Sequence, residues 1–400
     1  MTVKFVPVDL DTFEISNWRS GPQCGERFYK STTHVVEHAL RLVDKAEIVT
    51  DPPKDEFYFL LTSSRYGLHT APDSFTASNN RFYSDLLNKK CGLIISLNEV
   101  ESVPVSKTIS GMKRLSDDLN IDSDLLYYID SNANNKKTLN RFNLNGGFFN
   151  YYDSVFVNPT VSPTVKSIEE LHERPKKMLL LGGKARAHRL KFINTILQLP
   201  NFEEDNFIST TSGTYFDKTL KKSVKILERK LDGFITDTKV LDKFAEPTQL
   251  GPTHLFYLES YLHTDSYFQI VTSTWFELDL ERIEVNEKHS RPMYSLQPFI
   301  VYGEPHILRA FKEMGYKTYS DWIDESYDEE FDDNLRFEKV VAVVESINAM
   351  SRTDLSAMMK EMLPTLLHNL DHHNNRVTEL QIEHQLFNDI TETFSNYLNK

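Results

Sequence analysis

Two groups of charged residues beside apolar runs have the side chains needed to bind a phosphorylated sugar. The first group lies in the sequence EKHSRP and consists of Glu287, Lys288 and Arg291. A carboxylate accepts hydrogen bonds from sugar hydroxyls, and the two cations can hold phosphate oxygens. On a helix these three positions fall on one flank. The alternative is an ordinary surface ion-pair pattern, which is common and contributes little to stability.

The second group follows the apolar run MLLL. It consists of Gly182, Gly183, Lys184, Arg186 and Arg189. A flexible backbone after a strand can approach a diphosphate closely, and guanidinium groups can bind its oxygens. The spacing matches neither the P-loop nor the dinucleotide-binding fingerprint. The alternative is a tight turn followed by a basic helix face in solvent.

A strand and a helix are predicted to position the first group. The run PFIVYG predicts a buried strand that ends at Gly303, and Pro305 suits the first turn of a helix over His306–Met314. Gly315 ends this helix. A strand that leads directly into a helix N-terminus offers backbone N–H groups and the positive end of the helix dipole to an anion. We therefore expect the ligand near this strand end.

One further carboxylate is a candidate general base. Glu99 follows the predicted strand over residues 91–97, although a glutamate in a surface turn is the simpler interpretation. The acidic run Asp324–Glu330 favours a helix cap and a solvated loop over a metal site or a base. We expect no metal site, because neither cysteine has the spacing of a zinc ligand and no third ligand can be placed beside the histidines near residue 370.

The composition favours a large α/β enzyme or binding protein of a reducing compartment. With 400 residues and 46.5 kDa, the chain is too long for one ordinary core, so two domains are expected. The net charge of −13 argues against a general nucleic-acid scaffold but leaves a local basic cleft open. Two cysteines exclude a disulfide framework. Without a signal peptide or an apolar run of about 20 residues, we expect a cytoplasmic protein with no membrane partner.

Helix and strand signals alternate along the chain, which is typical of an α/β fold. Helices are predicted over residues 33–45, 81–89 and 187–197, and strands over 3–8, 56–62, 91–97, 153–159, 176–181 and 267–272. From residue 336 onward the apolar spacing predicts helices only. The proline-containing segment 159–175 predicts a domain boundary near residue 160. Nothing in the sequence indicates the oligomeric state.

Two segments of the second half resemble a family of glycosyltransferase-like proteins encoded by tailed phages, large viruses and some bacteria. They are MLLLGGKARAHRLKFINTIL and IVTSTWF followed by NEKHSRPMYSLQPFIVYGEPHILRAFKEMGYKTYSDWIDESYD. The family is similar to GT-B glycosyltransferases with a fucosyltransferase-like C-terminal half. Its Gly-Phe/Tyr-x-Thr-Phe/Tyr and Glu-Ser-Tyr-Asp patterns match residues 315–319 and 325–328. The chain departs from the family at residues 182–184, where Asn-Arg-Arg is usual, and at residues 273–274, 286 and 291.

The resemblance implies an α/β protein with two Rossmann-like, GT-B-like domains and a C-terminal helical extension. The acceptor-side domain would span residues 1–160, the nucleotide-sugar-binding domain 161–345, and the extension 346–400. The implied activity moves a sugar from a nucleotide diphosphate sugar to an acceptor glycan or modified phage DNA, without a metal or a tightly bound cofactor.

The resemblance also assigns roles by position. Glu287 and Lys288 would contact the ribose and the diphosphate, and Arg291 replaces the family's usual lysine. Arg186 and Arg189 would support the phosphates. Because of the departures, a non-catalytic binding or assembly protein on the same fold remains the alternative. A hydrolase ranks last, since the sequence shows no nucleophile with an adjacent base.

Overall fold

The protein forms two parallel β-sheets and one antiparallel ribbon, with helices packed on the sheets. The computed structural model describes residues 2–8, 36, 40–64, 81–97, 105–130, 132–149, 173–183, 185–217, 220–229, 260–276, 283–285, 287–379 and 381–399. The strands are β1 (Val3–Pro7), β2 (Ala46–Ile48), β3 (Tyr58–Ser64), β4 (Cys91–Leu97), β5 (Leu126–Asp130), β6 (Asn145–Phe148), β7 (Lys176–Gly182), β8 (Phe207–Thr210), β9 (Gly213–Asp217), β10 (Lys222–Ile226), β11 (Ser266–Thr272) and β12 (Phe299–Tyr302). The predicted α/β fold with parallel sheets is therefore confirmed, and it is compatible with a Rossmann-like fold.

Helices follow most strands of both sheets. They are α1 (Arg81–Leu87), α2 (Val105–Leu119), α3 (Asn135–Asn140), α4 (Ala187–Ile196), α5 (Phe202–Asp205), α6 (Ser260–Thr264), α7 (Glu287–Tyr294), α8 (Ile307–Glu313), α9 (Asp333–Ala349), α10 (Arg352–Thr378), α11 (Gln381–Thr393) and α12 (Ser395–Leu398). Two short 3-10 helices, Ser123–Leu125 and Ser326–Glu329, complete the described elements. The apolar strands are buried on both faces, as expected for parallel sheets covered by helices.

The first sheet has the strand order β2-β1-β3-β4-β5-β6, and every neighbouring pair is parallel. This is the order of a doubly wound fold, and its topological switch point lies between β1 and β3. Two apolar clusters cover its opposite faces. The first half of the chain therefore has a doubly wound α/β architecture.

The second sheet has the order β12-β11-β7-β8 and is also parallel throughout. From β7 the chain continues to β8 on one side, and it later returns to β11 on the other side. The switch point of this sheet consequently lies between β7 and β11. The predicted strands over 176–181, 267–272 and 298–303 are confirmed as β7, β11 and β12.

The last helices complete the cores of both sheets. Helices α9 and α10 pack with the second sheet, and buried residues such as Val344 and Met359 belong to its core. Helix α11 instead packs on the first sheet, where the Phe394 ring that follows it lies 4.9 Å from the Phe59 ring. Lys136 and Asp389 form an ion pair of 2.9 Å across this contact. The predicted boundary at residue 345 falls within α9.

The predicted helix over His306–Met314 begins one residue later than expected. His306 has a left-handed backbone with φ 70°, so Pro305 lies in a turn before α8 and not in its first turn. Gly315, with φ 93°, follows the end of α8 as predicted. The predicted strand over 153–159, residues 159–172 of the proline-containing segment, and residues 33–35 and 37–39 of the predicted helix over 33–45 lie outside the described residues.

Candidate functional site

The carboxyl ends of β7 and β11 form the edge where a ligand is expected. In doubly wound sheets, ligands bind in the crevice outside the strand ends at the switch point. Strand β7 ends at Gly182 and β11 ends at Thr272, and the two strands are direct neighbours. The predicted phosphate-binding residues after β7 therefore lie at the appropriate edge. We call this edge the β7–β11 crevice.

Gly182 and Gly183 differ in their surroundings. A Cβ on Gly182 would lie 2.9 Å from Ile193 Cδ1 and 3.2 Å from the Ser209 carbonyl oxygen, so this glycine allows α4 and β8 to approach β7. A Cβ on Gly183 would meet no described atom within 4 Å. Thr211 Oγ1 donates a hydrogen bond of 2.7 Å to the Gly183 carbonyl. Gly183 therefore has space for a ligand, whereas Lys184 lies outside the described residues.

Arg186 precedes α4 at the mouth of the crevice. Its backbone is extended, with φ −97° and ψ 145°, and its side chain makes no capping hydrogen bond. The guanidinium carbon lies 5.5 Å from the centroid of the Trp275 ring, within the range of a cation–π contact. The first turn of α4 contains no acidic residue, so no carboxylate of that turn offsets the positive end of the helix dipole. Arg186 and this N-terminus are suited to a phosphate.

Arg189 makes contacts that differ from its predicted role. Its guanidinium donates two hydrogen bonds to the Ser273 carbonyl, at 3.0 and 2.8 Å, and one to the Thr272 carbonyl at 3.1 Å. The side chain is buried. These bonds attach α4 to the end of β11, so Arg189 positions the two walls of the crevice. A direct contact between Arg189 and a phosphate stays a prediction.

His188 lies between the same two walls. Its Nε2 is 3.5 Å from the Ser273 carbonyl, and its ring lies parallel to the Phe276 ring at 6.2 Å. Burial lowers the pKa of His188 to about 4, and the positive charge of Arg189 acts in the same direction. His188 is therefore neutral near pH 7, and its protonation in the folded protein is unfavourable.

The depressed pKa of His188 predicts a loss of stability in acid. The imidazole of the unfolded chain takes up a proton near its ordinary pKa of about 6.5, whereas the folded protein does so only near 4. Stability should therefore fall as the pH drops from about 6.5 to about 4. In His188→Gln this fall should be smaller by about 1–3 kcal/mol, measured by urea unfolding across the pH range. His384→Gln, at an exposed position, is the matched control; equal pH profiles for wild type and His188→Gln would contradict the prediction.

A buried Ser273–His289 pair was missed by the sequence analysis. Ser273 Oγ lies 3.2 Å from His289 Nε2, and both side chains are buried. A Cβ on Gly303 would collide with Ser273 Oγ, so glycine is needed where β12 ends. Ser273 thus contacts elements from three directions: α4 through Arg189, α7 through His289, and the end of β12. The polar end of β11 was visible in the sequence, but nothing indicated that His289 faces it.

The EKHSRP segment lies on helix α7. On a helix, residues 287, 288 and 291 fall on one flank, as the spacing required. His289 faces inward to Ser273, and Lys288 is half-buried. Helix α7 packs on β11 and α10. The side chains of Glu287 and Arg291 are outside the described part of the chain. The structure therefore brings the backbone of the first predicted group to the β7–β11 crevice and leaves two of its side chains undescribed.

The expected anion site at the N-terminus of α8 is occupied by the protein itself, which corrects that expectation. Asp328 accepts hydrogen bonds of 2.9 Å from the backbone N–H groups of Leu308 and Arg309, and its own carbonyl accepts one from the His306 N–H at 2.7 Å. A carboxylate at a helix N-terminus satisfies the N–H groups that a ligand would otherwise bind. The following helix, α9, is capped by Asp332. The acidic run is therefore structural, but its member Asp328 caps the preceding helix, whereas the cap of the following helix comes from Asp332, just beyond the run.

The first sheet contacts the segment that leads into α7. The Ala133 N–H donates to the Ile283 carbonyl, and the Ile283 N–H donates to Asn132 Oδ1, both at 2.9 Å. Asn132 follows the carboxyl end of β5, so this edge of the first sheet lies beside the α7 wall of the crevice. Glu99, the candidate base after β4, lies outside the described residues.

Comparison with family models gives no match, and neither does comparison with curated proteins. No described helix has the length and apolar character needed to cross a membrane. Within the same described ranges, no group of three or more His, Cys, Asp or Glu residues is arranged to hold a metal ion.

Proposed function

We propose that the protein is a glycosyltransferase that moves a sugar from a nucleotide diphosphate sugar to an acceptor glycan or modified DNA. The donor would bind in the β7–β11 crevice, with its diphosphate at Gly183 and the N-terminus of α4. The observation that carries the proposal is the position of Arg186: a cation at the N-cap position of α4, close to the open backbone of Gly183, at a topological switch point.

The second wall of the crevice supports the same ligand. Helix α7 brings Lys288 to this edge, and the Ser273–His289 hydrogen bond ties α7 to the end of β11. Lys288 would bind the diphosphate, while Glu287 would accept a ribose hydroxyl and Arg291 would add a cation. The two parallel sheets, each with a switch point, are the architecture that a GT-B-like arrangement requires.

The reaction would break the bond between the anomeric carbon and the diphosphate oxygen while the acceptor hydroxyl forms a new bond to that carbon. Arg186 and Lys288 would stabilise the negative charge that develops on the leaving diphosphate. A base on the first half of the chain would take the acceptor's proton if the reaction inverts the anomeric centre, and Glu99 is the candidate. The contact between Asn132 and Ile283 joins the first sheet to the segment before α7, and it supports an acceptor site on the first half of the chain.

A non-catalytic binding or assembly protein on the same fold is the second candidate. Two internal contacts favour it: the buried guanidinium of Arg189 is bonded to backbone carbonyls, and Asp328 occupies the N-terminus of α8. A protein that binds a nucleotide sugar without transferring the sugar would keep Arg186 and Lys288 but would not need a base.

Nucleotide binding tests the donor site. Wild-type protein should melt at a higher temperature with at least one nucleotide diphosphate or nucleotide sugar, since a ligand that binds only the folded state stabilises it. Arg186→Ala and Lys288→Ala should each weaken that binding about 10- to 100-fold, because a charge-assisted hydrogen bond contributes about 1.5–3 kcal/mol. Titration calorimetry measures the affinity, and Lys191→Ala, an exposed position on α4, is the matched control.

The outcomes separate the candidates. Binding together with nucleotide release that depends on sugar and acceptor supports the transferase, and binding without release supports the binding protein. If no nucleotide or nucleotide sugar shifts the melting temperature, both candidates fail at this site. If the nucleotide affinity is unchanged in both Arg186→Ala and Lys288→Ala, neither side chain belongs to the donor site.

A further inference from the structure

The hairpin of β9 and β10 has an exposed face that combines apolar and basic side chains. The two strands pair antiparallel, with Asp217 opposite Lys222 and Phe216 opposite Ser223. Among the described strands they pair only with each other, apart from a bridge between Thr210 and Arg229. Among the described strands, the hairpin therefore belongs to neither parallel sheet.

Alternation along the hairpin separates its two faces. Tyr215 and Ile226 point inward and are buried, and the Asn194 side chain donates to the Tyr215 hydroxyl at 3.3 Å. Phe216 and Lys225 point outward on the opposite face. Because the inner face is packed against α4, the outer face is held in a fixed orientation.

The exposure of the apolar side chains on this hairpin is unusual for the molecule. Phe216 is 61% exposed, Leu220 in the turn is 56% exposed, and Leu227 after β10 is 64% exposed. These are the largest exposed fractions among the large apolar side chains of the described residues. Exposed apolar residues that cluster on one element, unlike scattered ones, mark a contact surface.

The charge of the hairpin is opposite to that of the chain. Residues 213–229 contain five basic and two acidic residues, in a chain whose net charge is −13. One of the acidic residues, Asp217, accepts a hydrogen bond of 2.9 Å from the Leu220 N–H and so stabilises the turn. The described exposed lysines of the hairpin are Lys225 on the outer face with Phe216, Lys221 in the turn, and Lys222, which lies opposite Asp217 on the face of Tyr215.

We propose that this hairpin docks on an anionic lipid surface. Phe216 and Leu220 would enter the boundary between headgroups and acyl chains, and Lys225 on the outer face and Lys221 in the turn would contact lipid phosphates. An anionic lipid surface would contact both the apolar and the basic side chains of the hairpin. A single-stranded nucleic acid would use Phe216 for stacking and the lysines for phosphates, but it would leave Leu220 and Leu227 in water. Docking of this kind needs no membrane-spanning helix.

The location of the hairpin connects it with the crevice. A Cβ on Gly213 would lie 2.7 Å from the Ala185 Cβ, so the base of the hairpin packs on the segment that carries Gly183 and Arg186. Docking would therefore hold the β7–β11 crevice close to the lipid surface. The proposal depends on the hairpin alone and does not require sugar transfer.

Vesicle co-sedimentation of the full chain tests the proposal. The wild-type protein should bind vesicles of phosphatidylcholine with roughly 30% phosphatidylglycerol, bind pure phosphatidylcholine much less, and lose binding as salt is raised. The double variant Lys221→Glu, Lys225→Glu and the double variant Phe216→Ser, Leu220→Ser should each lower the affinity about tenfold or more.

Controls separate docking from folding. The double variant Leu42→Ser, Leu87→Ser removes exposed leucines outside the hairpin and should bind like wild type. Melting temperatures of all variants should match that of wild type, since the changed side chains are exposed. Absent binding to the anionic vesicles, or equal binding by wild type and both hairpin variants, would overturn the proposal. Binding of single-stranded DNA that both hairpin variants weaken, without vesicle binding, would instead assign the hairpin to nucleic acid.

Discussion

Replacing Arg336 by methionine is expected to lower the free energy of unfolding by about 3–5 kcal/mol. The Arg336 side chain is 1% exposed, and its guanidinium donates to the Gly303 carbonyl at 3.1 Å, to the Glu330 carbonyl at 2.9 Å and to the Phe276 carbonyl. It also forms an ion pair of 2.6 Å with Asp333. The substitution leaves these buried acceptors without a donor, and an unpaired buried polar group costs about 1–3 kcal/mol.

Loss of the Arg336 hydrogen bonds should also loosen the β7–β11 crevice, because Arg336 joins the segment after β11 to the end of β12. Urea unfolding measures the loss of stability. Lys339→Met is the matched control on the same helix: its ion pair with Glu330 is partly exposed, and its loss should cost about 1 kcal/mol or less. Equal changes in the two variants would show that the buried contacts of Arg336 do not stabilise the fold.

Arg189→Met is expected to lower the free energy of unfolding by about 3 kcal/mol. The substitution removes three hydrogen bonds to the carbonyls of Thr272 and Ser273 and leaves those carbonyls buried beside an apolar side chain. Stability is measured by urea unfolding, and nucleotide affinity by calorimetry at a temperature where the variant is folded. Lys191→Met, on the same helix but exposed, is the control.

The two measurements separate the two roles of Arg189. A positioning role predicts a large loss of stability, with a loss of affinity that Arg189→Lys partly restores. A role in phosphate binding predicts a large loss of affinity and an unfolding free energy close to that of Lys191→Met. The second result would assign Arg189 to the donor site and contradict its positioning role.

Much of the fold could be predicted from local patterns. Strands β4, β7 and β11 each contain a run of consecutive apolar residues, which is typical of strands buried on both faces. The spacing of Leu386, Phe387, Ile390 and Phe394 predicted an amphipathic helix, and these residues are buried. Which sheet this helix covers could not be predicted, because any apolar surface accepts such a face.

The ends of helices were harder to predict, because their partners are distant in sequence. Pro305 and the preceding strand indicated an open N-terminus at α8, but Asp328, twenty residues later, occupies it. The antiparallel hairpin was missed because its inner face carries few apolar residues, and its outer face is polar or exposed. The contact between Asn132 and Ile283 joins residues 151 positions apart and has no local signature.

In the stretch from Glu287 to Tyr302, some features follow from the local sequence and others depend on tertiary contacts. The sequence by itself determined the strand, because burial of an apolar run and chain stiffness act over a few residues, but it left open whether EKHSRP forms a helix. It also determined which residues carry charge. Only the tertiary structure decided which charges are available: Arg189 is bonded to the end of β11, while Arg186 lies beside Trp275 at the mouth of the crevice. A guanidinium binds whichever carbonyl or anion the packing brings to it, and strand order, which the local pattern does not encode, brings Ser273 to Arg189.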